Sequence, residues 1–122
     1  MTSRPLVSVV DDDESVRESL PDLLREFGFT VQAFASAEEF LASDISQTRC
    51  LILDVAMPGM SGPDLLRELK QRQQHIPIIF ITAHGDQATR PRLLAQGAVE
   101  CLLKPFSDTA LRAALDAALP VG

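Results

Sequence analysis

The chain has 122 residues, 46% of them apolar and 23% charged, with a formal net charge of −6. That length and apolar fraction suit one compact domain with an ordinary core and exclude a disordered chain. No apolar run approaches the roughly 20 residues that span a bilayer, and the acidic balance argues against a nucleic-acid surface, which needs clustered Lys and Arg.

The N-terminal "MTSRPLVSVVDDD" lacks the apolar core and cleavage site of a secretory signal, so a soluble cytoplasmic protein is expected. The first strand is expected at residues 6–10, "LVSVV", and it runs into Asp11, Asp12 and Asp13. Val16, Leu20, Leu23, Leu24 and Phe27 then recur at helical spacing until Gly28. Pro21 lies inside that helix, where it should cost about 3 kcal/mol or kink it. The second strand, residues 30–34, is more polar and suits a sheet edge. A Ser36-x-x-Glu39 capping box opens a short second helix around Phe40.

The third strand, residues 50–53, ends on Asp54, with Pro58-Gly59 close behind. A buried strand has no use for an unpaired carboxylate. Leu65, Leu66 and Leu69 mark the third helix. The fourth strand, residues 76–81, leads to Thr82. Leu93 and Leu94 mark the fourth helix, ending near Gly97. Pro91 is harmless there if the helix begins at Thr89 or Arg90, and distorts the first turn if it begins at Asp86 or Gln87. The fifth strand, residues 99–103, leads to Lys104, and Leu111, Leu115 and Leu119 mark the last helix. Arg90, Arg92, Arg67, Lys70 and Arg72 read as solvated helix faces.

Strands alternating with helices imply βαβ units and a parallel sheet. One domain over residues 1–122 is expected, and the closing "AALPVG" reads equally as a natural end or the start of a linker. The carboxyl ends of parallel strands share one edge, where ligands bind. If strands one and three are neighbours, Asp11, Asp12 and Asp54 meet in a small volume. Like charges there repel unless a cation sits among them, and hard oxygen donors point to Mg²⁺. Capping of the first helix by Asp12 or Asp13 explains one acid but not Asp54. Thr82 and Lys104 belong to the same edge. A carboxylate nucleophile accepts a phosphoryl group, and cation, ammonium and hydroxyl stabilise the transferring oxygens.

Four segments, "VVDDDES", "LILDVAMPGMSG", "FITAHGD" and "LLKPF", resemble the receiver domain of two-component response regulators, in order and in register. "MPGMSG" and "TAHGD" look most like nitrogen-fixation regulators, whose receivers precede a helix-turn-helix output domain. The resemblance implies a flavodoxin-like (βα)5 doubly wound sheet of order 2-1-3-4-5. It implies Asp54 as phosphoacceptor, Asp11 and Asp12 as the metal-binding pair, and the backbone carbonyl of Ala56 as a further metal oxygen. It implies Thr82 as the switch hydroxyl, Lys104 as the phosphoryl-contacting lysine, and a cis bond before Pro105. Gly59 and Gly62 match the loop after strand three.

The implied cofactor is Mg²⁺, with Mn²⁺ as a substitute. The implied partners are a sensor histidine kinase, an attached or separate output domain, and a second copy across the fourth helix, fifth strand and fifth helix. Transcription is the implied output, with no direct contact of this domain with nucleic acid or membrane. Such a domain catalyses only its own phosphorylation and autodephosphorylation, and is not otherwise an enzyme.

Cys101 stands three residues before Lys104, where the family usually has Tyr or Phe. Neither Cys50 nor Cys101 sits in a metal or dithiol pattern, and in the strand order that the resemblance implies two spacings of about 4.8 Å between them exceed the roughly 7 Å disulfide limit. His84 reads as an exposed loop residue near the site, and His75 as surface loop. An Asp-based phosphatase would need a second acid at position 56, which is Ala. A pseudo-receiver, binding partners without phosphorylation, usually lacks one of the acids or the lysine, and all are present. No P-loop motif is present.

Overall fold

A computed structural model describes residues 4–120; the first three residues of "MTSRPLVSVVDDD" and the closing two of "AALPVG" lie outside them. Five strands alternate with five helices: β1 Leu6–Val10, α1 Glu14–Glu26, β2 Thr30–Phe34, α2 Ala37–Ala42, β3 Thr48–Asp54, α3 Gly62–Gln71, β4 Ile78–Thr82, α4 Thr89–Ala95, β5 Glu100–Leu103 and α5 Asp108–Ala118. The strands form one parallel sheet in the order β2-β1-β3-β4-β5, the flavodoxin-like arrangement expected.

Apolar alternation along the strands builds two cores. Leu51, Leu53, Ile78 and Phe80 face α2, α3 and α4, packing with Phe40, Leu65, Leu69 and Leu93. Val7, Val9, Cys50, Ile52, Ile79 and Ile81 face α1 and α5, packing with Leu20, Leu24, Leu111 and Leu115. Central strands covered on both faces read as nearly unbroken apolar runs, whereas edge strand β2 does not. Cys50 and Cys101 therefore lie on opposite faces of the sheet, and both are free thiols.

β3 begins at Thr48, two residues before the expected start, because the Thr48 hydroxyl pairs with that of buried Ser8 at 2.7 Å. β4 begins at Ile78, although the Pro77 carbonyl already accepts from Leu51 N at 2.9 Å. α1 runs unbroken through buried Pro21, so the expected cost is carried as a missing helical hydrogen bond. α4 begins at Thr89, which places Pro91 harmlessly in its first turn. Asp86 fixes that start by accepting from the amides of Ala88 and Thr89 at 3.0 and 2.9 Å. At α2 only the serine half of the expected box forms, with Ser36 accepting from Glu39 N. A complete capping box instead joins Ser61 and Asp64 at α3.

Candidate functional site

Parallel pairing of β1 with β3 sets Val10 beside Leu53, so the residues that follow emerge together at the carboxyl edge. Asp11, Asp12 and Asp54 offer carboxylate oxygens that all lie within 4.8 Å of one another. Asp11 is fully buried, Asp54 is 6% exposed and Asp12 is open to solvent. Asp13, the last of the acidic run, turns away and caps α1 by accepting from Ser15 N at 2.9 Å. The Ser15 hydroxyl, which donates to the same carboxylate oxygen at 2.8 Å, and then that amide hold the Asp13 carboxyl below its ordinary range. The acidic run thus divides into one cap and two site carboxylates.

Lys104 follows β5 and closes the pocket from the far side. Its Nζ donates to Asp11 Oδ2 at 2.8 Å and stands 3.9 Å from Asp54 Oδ1. Burial and the neighbouring Asp11 raise the Asp54 carboxyl to about 7, against the pull of Lys104. One ammonium among three carboxylates leaves net negative charge in a partly dry pocket. Hard oxygen donors at this separation, with uncompensated charge, fit a small divalent cation.

Thr82 ends β4 at the same edge and is 4% exposed. Its Oγ1 accepts from His84 N at 3.1 Å, so the hydroxyl is turned to its own loop rather than bonded to Asp54. Exposed His84 thus meets Thr82 through its backbone, not its ring. Ala56 lies exposed in the loop leaving β3. The Lys104–Pro105 bond is cis, as the resemblance implied. Cys101 is buried, and a cavity of about 140 Å³ lined in part by Thr82, Thr89, Cys101 and Leu103 stands beside it. Burial raises the Cys101 thiol and pushes that of Cys50 up to about 12, so neither is a ready thiolate.

Two supporting contacts escaped the sequence reading. Arg17 on α1 donates to the Asp11 carbonyl at 3.0 Å. Glu38 on α2 accepts from Met60 N, at 3.1 Å, in the loop after β3. The Arg17 spacing hints that it can fold back over the loop before α1. No local signal marks Glu38, whose partner lies 22 positions away.

A doubly wound parallel sheet that gathers three acids and a lysine at its carboxyl edge defines a flavodoxin-like domain with an acidic switch-point pocket. The model of the response regulator receiver domain matches residues 7–116, and the chain belongs to that family. It is similar to nodulation protein W of Bradyrhizobium diazoefficiens, 48% identical over 118 residues, covering 96% of this chain and 52% of that protein. It is similar to the transcriptional regulatory protein FixJ of Azorhizobium caulinodans, 44% identical over 114 residues, covering 93% of this chain and 54% of that protein. These relatives place it with the nitrogen-fixation type of regulator. The solved structure of response regulator StyR superposes with a TM-score of 0.87 at 48% identity, covering 96% of this chain and 60% of that one. The chain spans about half the length of the curated relatives it matches. No helix among the described residues is long and apolar enough to cross a membrane.

Proposed function

We propose that residues 1–122 form one receiver domain in which Asp54 accepts a phosphoryl group from the phosphohistidine of a sensor kinase. The observation that carries this reading is the meeting of Asp54 with Asp11, Asp12 and Lys104 in one pocket. A carboxylate oxygen of Asp54 attacks phosphorus in line, an O–P bond forms, and the N–P bond to the kinase histidine breaks. Water later cleaves the acyl phosphate, releasing inorganic phosphate and restoring Asp54. The domain catalyses these two steps on itself and no other reaction.

Asp11, Asp12, Asp54 and the Ala56 carbonyl would hold Mg²⁺, or Mn²⁺ in its place. The bound cation supplies positive charge to the phosphoryl oxygens. Lys104 supplies a second positive charge from the opposite side. Thr82 leaves His84 N and donates its hydroxyl to a phosphoryl oxygen. That movement remodels the face formed by α4, β5 and α5, which a second copy or an output domain then selects. Cys101, smaller than the aromatic usual in the family, leaves open space beside Thr82, so the shift needs no coupled ring rotation.

The output domain is read as attached in a longer protein or separate, and as the part that contacts DNA. The FixJ relative is named a transcriptional regulatory protein, and control of transcription in the cytoplasm is the output proposed for this domain together with its attached or separate output domain. Beryllofluoride with Mg²⁺, a mimic of the acyl phosphate, tests the reading in thermal unfolding. Stabilisation that needs both reagents and vanishes in Asp54→Asn supports it. Equal melting with and without them identifies a phosphorylation-independent binding module.

A further inference from the structure

The loop "AMPGM", residues 56–60, carries the Ala56 carbonyl. Both ends of it are pinned: Val55 N donates to Ile81 O at 3.0 Å, and Gly62 N donates to Val55 O at 3.0 Å. Between the pins, Met57 is an apolar anchor in the core, while Ala56, Pro58 and Gly59 are exposed. Glu38 supplies the polar anchor. Its Oε2 accepts from Met60 N at 3.1 Å, reaching across from the first turn of α2.

Loop and carboxylate are fitted to each other. A Cβ on Gly59 would stand 2.8 Å from Glu38 Oε2, so the glycine leaves room for the carboxylate to approach. Gly59 also holds φ +73°, the left-handed region that favours glycine. Glu38 is presented from a fixed element, because its helix neighbours Ala37 and Phe40 are fully buried in the same core as Met57.

We propose that Glu38 is a positioning residue for the cation site: its bond to Met60 N sets the shape of the loop that carries the Ala56 carbonyl. This rests on the reading of that carbonyl as a metal oxygen. The bond requires an acceptor oxygen rather than a charge, so Gln can replace Glu and Ala cannot.

The test is calorimetric titration of the whole chain with Mn²⁺, for wild type, Glu38→Ala, Glu38→Gln and Asp12→Asn. Exchange of the Met60 amide is followed in parallel, in EDTA. Asp12→Asn, which removes a proposed ligand, reports on the cation site itself. Outer partners that bond a ligand directly alter metal affinity by about 10–100-fold; Glu38 acts one step further out, so Glu38→Ala weakens Mn²⁺ binding by about 3–10-fold and Glu38→Gln by less than about twofold. Met60 exchange accelerates in Glu38→Ala and stays slow in Glu38→Gln. Unchanged Mn²⁺ affinity in Glu38→Ala, with accelerated Met60 exchange, overturns the proposal. So does an equal loss of affinity in both variants with Met60 still protected in Glu38→Gln, which would be an effect of charge. Absence of binding by wild type itself sinks the cation reading and this proposal with it, and the wild-type titration shows that before any variant is compared.

Discussion

Lys104 donates to Asp11 at 2.8 Å across 93 positions of sequence, joining the end of β5 to the end of β1. Asp11 is fully buried, and the Lys104 side chain is only 20% exposed. A buried carboxylate without its partner keeps its desolvation cost and loses its compensation.

Replacing Lys104 by Met should therefore do two opposite things. In EDTA it lowers stability by about 1.5–3 kcal/mol, the usual worth of a hydrogen bond to a charged group. In the same variant Mg²⁺ binds more tightly, because the cation no longer competes with an ammonium. Urea unfolding with and without Mg²⁺ reads both effects. An unchanged midpoint in EDTA, or weaker Mg²⁺ binding, contradicts the pairing.

Asp54 sets a pH dependence of defined sign. Its carboxyl titrates at about 7 in the folded protein, against an ordinary 3.8. Between those values the folded state holds a proton that the unfolded chain has released. The contribution to stability is full below the ordinary value and is lost as pH rises through about 7. Metal-free wild type should lose stability from about pH 4 to about pH 7 relative to Asp54→Asn, which has no proton to lose there, and the two curves should run parallel above that range. Parallel stability curves for the two proteins across that window would contradict the burial of this charge beside Asp11.

Gly62 tests the packing under the site. A Cβ at this position would lie 2.3 Å from the Asp54 carbonyl oxygen and 2.9 Å from Phe80 Cε1. One is backbone, the other a fully buried ring, and neither can yield cheaply. Gly62→Ala should cost about 1–3 kcal/mol in denaturant unfolding, as overpacked cores do, despite the better helix propensity of Ala. A neutral or stabilising result would mean that β3 and α3 are less closely apposed than described.

The sheet order was implied by the resemblance; strand character alone marked only the more polar β2 as an edge. In the structure β5 forms the other edge. Strand limits were less legible where polar groups satisfy one another out of water, as Thr48 and Ser8 do. The chemistry of the site was legible because strand ends place Asp11, Asp54, Thr82 and Lys104 on one edge without knowledge of any side-chain packing. Glu38 was not, since its bond depends on how α2 lies over a loop 22 positions further on. The separation of Cys50 from Cys101 was expected from strand spacing in the sheet order that the resemblance implied. Alternation adds the stronger reason, that the two thiols face opposite cores.

The most direct test of the central claim is intact-mass measurement after incubation with acetyl phosphate and Mg²⁺, for wild type and Asp54→Asn. A single phosphoryl adduct on wild type, absent from Asp54→Asn and absent without Mg²⁺, is the predicted result. An adduct that survives in Asp54→Asn, or that forms equally without the cation, would contradict Asp54 as the acceptor in a cation-dependent pocket.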